Sequence, residues 1–154
     1  MKLNFFEKLI GSGFYTGYIK TASGTFGSLA GLAIYLIPGF ENPTIMIFFI
    51  SLMIVIGVPI AVKFENIYGN DPSEYTNDEV IGMWITLLFV PKKIWWIVLG
   101  FLIWRFLDIV KPFPAKQLEK VKNGWGVLLD DIAAGIYSFI LLQLLIYVFN
   151  WIVK

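Results

Sequence analysis

The chain has 154 residues, enough for a single domain over residues 1–154, of which 58% are hydrophobic, 18% aromatic and only 15% charged. A water-soluble domain carries about 25% charged residues, so this composition excludes an ordinary water-facing surface and reads as an integral membrane protein. A net charge of +1 argues against a nucleic-acid binder, which needs a basic stripe, and the lack of Cys and His excludes disulfides, Cys or His nucleophiles, a His general base and a His/Cys zinc site.

In chain order, Leu3, Phe6, Leu9 and Ile10 fall near one helical face, with Glu7 and Lys8 elsewhere. This predicts a short amphipathic helix, either at the membrane interface or docked on the core. It has neither the long apolar run nor the cleavage site of a signal peptide. Gly11-Ser12-Gly13 breaks it. Residues 15–24 read as loop, with Lys20 as their only charge. Ser23 or Thr25 is placed to cap a short apolar helix that runs through Phe26, Leu29 and Leu32 to Pro38. Gly24, Gly27 and Gly31 allow another backbone close to it. The Gly24-Thr25-Phe26-Gly27-Ser28 turn is also a possible anion nest, with packing the equal alternative.

Residues 39–43 turn the chain. Residues 44–62 form the cleanest spanning run, uncharged throughout, with Pro59 near its end. Lys63 and Glu65 then mark water, and residues 64–77 are polar, with a turn at Tyr68-Gly69-Asn70-Asp71-Pro72. Thr76, followed three residues later by Glu79, has the pattern of a capping box. It opens a third, short helix ending near Val90. Pro91-Lys92-Lys93 turns into a fourth, residues 94–107, with Trp95 and Trp96 at its start as interfacial belts have. Pro112 and Pro114 stop it. Residues 115–122 suit a short surface helix, and residues 130–153 the last span. The expected fold is all-α: a polytopic membrane bundle of about five apolar helices, some short, plus interfacial helices.

Alternating these five spans puts Lys2, Lys8, Lys20, Lys63, Arg105, Lys111, Lys116, Lys120 and Lys122 on one side, and only Lys92, Lys93 and Lys154 on the other. By the positive-inside rule the first side is cytoplasmic. The same arrangement carries Asp78, Glu79, Asp108, Asp130 and Asp131 to cytoplasmic helix ends. Of the eleven acidic residues, only Glu41 falls outside.

Carboxylates crowded at one depth do not all stay ionised without a cation among them. Hard oxygen donors without His or Cys favour Mg2+ over zinc, and Mg2+ commonly completes its shell with phosphate oxygens. Each residue also has a structural reading. Asp78, Glu79, Asp130 and Asp131 suit helix N-termini. Arg105 and Asp108 suit a private ion pair three residues apart. Lys111 suits snorkelling to the interface. Gly82 and Gly135, each four residues after an aspartate, suit close helix packing. The functional reading rests on the convergence of several helix ends.

Four segments carry a family resemblance: Ser23-Gly24-Thr25-Phe26-Gly27-Ser28-Leu29; Asp78-Glu79-Val80-Ile81-Gly82-Met83-Trp84; Arg105-Phe106-Leu107-Asp108-Ile109-Val110-Lys111-Pro112-Phe113-Pro114; and Gly124-Trp125-Gly126-Val127-Leu128-Leu129-Asp130-Asp131-Ile132-Ala133-Ala134-Gly135. In order and spacing the chain resembles the phosphatidylglycerophosphatase A family, departing at Trp125 within a turn. The resemblance implies an Mg2+-dependent membrane phosphatase. It would convert phosphatidylglycerophosphate to phosphatidylglycerol and inorganic phosphate, at the cytoplasmic face of the cell membrane. It also implies that Asp78, Glu79, Asp108, Asp130 and Asp131 form the acidic, metal-binding cluster, with Arg105 and Lys111 on the phosphate.

Lys20, in the loop before the glycine-rich segment, and Thr25, on that segment, are further candidates for the phosphate. Asp130 or Asp131 is the candidate general base, a covalent aspartate nucleophile being the alternative, and Arg105 the transition-state partner. The rival expectation from another class is a small cation-binding or transport protein that uses the same carboxylates. A lipid-binding subunit without chemistry is the third.

Overall fold

The computed structural model describes residues 2–153, so Lys154, expected on the far side, lies outside the described residues. The described chain is helical: α1 Phe5–Gly11, a 3-10 turn Thr16–Tyr18, α2 Ser23–Tyr35, α3 Pro43–Tyr68, α4 Asn77–Thr86, α5 Ile94–Val110, α6 Ala115–Leu118 and α7 Trp125–Ile152. Two of these, α3 with 26 residues and α7 with 28, are long and apolar enough to cross a bilayer. Both leave most of their side chains uncovered by the rest of the chain, as lipid-facing helices do. The expected five spans therefore reduce to two long helices with shorter ones beside them. α2 and α4, at 13 and 10 residues, fall well below the ~20 residues of a full crossing.

α4 is the centre of the bundle. Asn77, Asp78, residues 80–84 and Thr86 are all buried, so this short helix has almost no outer face. It packs chiefly on α7 and α2, with α3 and α5 completing the enclosure. Glycines set these distances. A Cβ at Gly135 would lie 2.9 Å from the Gly82 carbonyl oxygen, and one at Gly82 would meet the Trp104 ring at 2.5 Å. The close packing expected of both residues is thus the α4–α7 crossing itself. Because a backbone atom is the obstacle, Gly135→Val should destabilise the fold by about 1–3 kcal/mol, read as a lower midpoint of thermal unfolding in detergent.

Several boundaries differ from the expected ones. α2 begins after Ala22, a left-handed residue (φ 55°), with no side-chain cap from Ser23 or Thr25. The capping box at Thr76 does not form; its hydroxyl instead meets the Thr16 hydroxyl at 3.0 Å, and its N–H donates to the Gly11 carbonyl at 2.8 Å. α3 runs on to Tyr68, through Pro59. Lys63 pairs with Glu7 of α1, and Glu65 accepts the Gly124 N–H at 2.9 Å, so both stand on the helix where water was expected. α6 ends at Leu118, short of residue 122. α7 starts at Trp125, because Gly124 takes a left-handed turn (φ 74°) against α3. Asp130 and Asp131 therefore stand in the second turn of α7, and the helix-start reading of that pair does not apply.

The two ends of the bundle are distinct. At one, the Tyr35 hydroxyl donates to the Val90 carbonyl and Lys92 pairs with Glu41 at 2.9 Å, which holds the Glu41 carboxyl below its usual range. At the other end meet the starts of α2, α4 and α7 and the close of α5, linked by the contacts described next.

Candidate active site

α4 brings Asp78 and Glu79 to this end, and α7 brings Asp131 through the glycine crossing. One carboxylate oxygen from each lies within 4.8 Å of the other two. Asp78 and Asp131 are buried, at 6% and 5% exposure. The Glu79 N–H donates to Asp78 Oδ1 at 3.0 Å, while Glu79 Oε2 is buried without a hydrogen-bond partner. A buried charged oxygen left unpaired costs several kcal/mol unless a cation meets it. The donor set is oxygen only, which suits a hard divalent ion. The residues present thus fit a metal ion, which Asp78, Glu79 and Asp131 would hold.

Asp108 and Asp130, the other two expected members, are each engaged by a cation. Arg105 Nη1 donates to Asp108 Oδ2 at 2.6 Å, an i,i+3 pair on α5. Lys111 Nζ donates to Asp130 Oδ2 at 2.7 Å and to Glu119 Oε2 at 3.2 Å. Asp130 Oδ1 remains buried and unpartnered. Asp131 faces Asp108, Glu79 and Asp130 electrostatically, so all five carboxylates share one locale.

Arg105 also donates to the Ser28 hydroxyl at 3.4 Å, and its guanidinium stands 5.5 Å from the centre of the buried Trp104 ring. It opens onto a cavity of about 430 Å3, which Lys20, Ser23, Gly24 and Glu79 also line. Gly24 lies against the site: a Cβ there would press on Glu79 Oε1 and sit 3.4 Å from Arg105 Nη1, so a side chain would displace the Glu79 carboxylate. The glycine-rich segment is thus the first turn of α2 and forms the wall of the cavity. Thr25 is absent from this lining, and its N–H is taken by the Ala22 carbonyl at 2.9 Å. Lys111 is held by Asp130 and Glu119 and is absent from this lining. A larger cavity, about 540 Å3, lies among Glu65, Asp71, Glu119 and Lys122 and includes none of the three clustered carboxylates.

Ser28, which steadies Arg105, and Glu119, which shares Lys111, escape a reading of the sequence. Ser28 is four residues from Gly24 and hydrogen-bonds its carbonyl at 2.8 Å, a local signal inside the glycine-rich segment. Glu119 had none, because its pairing with Lys111, eight residues back, depends on how the chain turns after α5. Behind the site, Tyr75 and Asn77 tie α4 to α3. The Tyr75 hydroxyl donates to the Gly57 carbonyl at 3.0 Å, and Asn77 Nδ2 donates to Tyr75 Oη at 3.2 Å.

The family model for Phosphatidylglycerophosphatase A matches residues 9–146. A Bacteroides thetaiotaomicron protein, provisionally named a phosphatidylinositol-3-phosphatase, is 37% identical over 97% of this chain and 97% of its own. The proteins named Phosphatidylglycerophosphatase A from Haemophilus influenzae and Escherichia coli are each 36% identical, covering 86% and 84% of this chain and 83% and 77% of theirs. No solved structure matches the chain. The four segments that carry the resemblance lie within the matched residues and build the site, and the chain belongs to the phosphatidylglycerophosphatase A family of phosphatases.

Proposed function

We propose that this protein is a multi-pass enzyme of the cell membrane that hydrolyses the terminal phosphomonoester of phosphatidylglycerophosphate at the cytoplasmic face. The products are phosphatidylglycerol and inorganic phosphate. The observation that carries this reading is the trio Asp78, Glu79 and Asp131 beside a cavity lined by Arg105 and Lys20, in a chain of this family.

Asp78, Glu79 and Asp131 would hold Mg2+, which when bound supplies charge neutralisation and orientation of the phosphate. Asp108 and Asp130 lie near them, each held by its basic partner. Arg105 meets the phosphate oxygens with the guanidinium edge left free by Asp108, and stabilises the charge that grows there in the transition state. Lys20 adds a second positive charge across the cavity. Thr25 and Lys111 take lesser parts, Lys111 chiefly by holding Asp130. Asp130 Oδ1, with no hydrogen bond of its own, accepts a proton from the attacking water. The new bond joins that water oxygen to phosphorus. The bond from phosphorus to the glycerol oxygen breaks, that oxygen takes a proton from solvent and leaves as the hydroxyl of phosphatidylglycerol, and Asp130 returns its proton to solvent.

Phosphatidylinositol 3-phosphate is the competing substrate, on the strength of the Bacteroides relative. The cation-transport alternative is not favoured, since the carboxylates gather at one end and α3 carries no charge before Lys63. The test is phosphate release by the purified protein from each lipid in detergent, with Mg2+ and with EDTA. The expected result is a higher kcat/KM for phosphatidylglycerophosphate and loss of release in EDTA, restored by Mg2+. Full activity in EDTA, or preference for the inositol lipid, would overturn the corresponding part.

A further inference from the structure

The cavity beside Arg105 has two large apolar side chains in its lining, Tyr18 and Ile19, and both also face outward. From Tyr18 a row of aromatic rings leads away over the surface. Ring centres are 6.0 Å apart from Tyr18 to Tyr15, 6.4 Å from Tyr15 to Phe5 and 5.6 Å from Phe5 to Phe6. Phe5 and Phe6 are 63% and 69% exposed. None of these residues belongs to a long helix.

The segment that carries the row is firmly built. Asn4 and Glu7 form a reciprocal capping box at the start of α1, and Glu7 pairs with Lys63 of α3. Gly11 seats against Phe64 and Ile60, where a side chain would collide. The chain then turns through two left-handed residues, Phe14 (φ 61°) and Tyr15 (φ 69°), a conformation residues with a Cβ rarely adopt. The Ser12 hydroxyl accepts the Tyr15 N–H at 3.0 Å and holds this turn. The rings therefore project outward from a fixed frame. Beside them, Lys2 and Lys8 are exposed and make no ion pair among the described residues; with Leu3, Ile67 and Tyr68 they line a small cavity of about 240 Å3.

Exposed aromatic rings flanked by unpaired lysines suit the boundary between acyl chains and phosphate headgroups. The rings enter the boundary, and the ammonium groups stay with the phosphates. We propose that residues 2–19 form a ledge that lies in the leaflet holding the substrate, docked on anionic phospholipid. A lipid then moves along the aromatic row into the cavity, its phosphate reaching Arg105 and Lys20 while its acyl chains stay in the membrane. The entry route rests on the activity proposed above; the docking does not.

The chain has no cysteine, so single labels can be placed without background. Nitroxide labels on Phe6→Cys, Tyr15→Cys and, as a control, Lys120→Cys would be read in phosphatidylethanolamine–phosphatidylglycerol vesicles. The measurement is accessibility to oxygen against a water-soluble nickel chelate. Labels at 6 and 15 are expected roughly 5–10 Å inside the boundary, and the label at 120 in water. Labels at 6 and 15 in water would overturn the docking, whatever the activity. For the route, the double variant Phe5→Ser/Tyr15→Ser should lose roughly tenfold in kcat/KM on vesicle-borne phosphatidylglycerophosphate, while keeping wild-type values on a short-chain, water-soluble form. Equal loss on both substrates, or on neither, would overturn the route. Wild-type protein inactive on both would refute the proposed activity, and label depth would still judge the ledge.

Discussion

Asp131→Asn should lower phosphate release roughly a thousandfold while leaving the chain folded. The substitution keeps the size of the side chain and removes one of three carboxylates whose oxygens lie within 4.8 Å of one another. Two sites of observation separate a metal ligand from a structural residue. Without a divalent ion, the variant should unfold at the same temperature as the wild type or higher, because one buried like charge has gone. With Mg2+ added, the wild type should gain thermal stability through binding to the folded state, and the variant should gain much less. The measurements are phosphate release and thermal unfolding in detergent, each with and without Mg2+. A variant that stays active, or one whose loss tracks unfolding in EDTA, would remove Asp131 from the centre of the chemistry.

Arg105→Lys should cost roughly a hundredfold in kcat/KM, although the charge is kept. Arg105 spans three neighbours at once: Asp108 at 2.6 Å, the Ser28 hydroxyl at 3.4 Å and the face of Trp104 at 5.5 Å. A guanidinium can hold Asp108 with one edge and offer the other to a phosphate; a lysine ammonium is a single point and cannot serve both in the same geometry. The loss should appear in kcat as well as KM, since the interaction strengthens as charge builds on the phosphate. Ser28→Ala, which removes only the weaker support, should show a smaller fall. Activity within a few-fold of wild type for Arg105→Lys would mean that only positive charge is needed at this position.

The acidic residues of the site were legible because charge set against apolar runs stands out. Asp78, Glu79, Asp108, Asp130 and Asp131 all fall beside hydrophobic stretches where ionised groups are costly. Their division of labour was not legible. Spacing along α5 shows that Arg105 can reach Asp108, yet nothing in the order of residues says that Lys111 will be held by Asp130, nineteen positions on, and shared with Glu119. Helix ends were similarly uneven. The expected start of α3 at Thr44 falls one residue after the observed start at Pro43, where the Asn42 side chain accepts the Thr44 N–H at 2.9 Å. Thr76 carries an equally good capping pattern, and there a tertiary contact with Thr16 takes its hydroxyl instead.

Composition and hydropathy by themselves determined an all-helical, membrane-associated chain without thiol or imidazole chemistry, because those properties depend on which residues are present and in what local period. The motifs in their order determined the family. Tertiary structure alone decided that α4 is a buried central helix in place of a span, that Gly82 and Gly135 bring Asp78 and Asp131 together, and that Lys20 and Arg105 line one cavity. The physical reason is range. Helix formation and hydrophobic matching act over a few residues or one bilayer thickness, whereas a site assembled from four helix ends depends on backbone approaches between residues more than fifty positions apart.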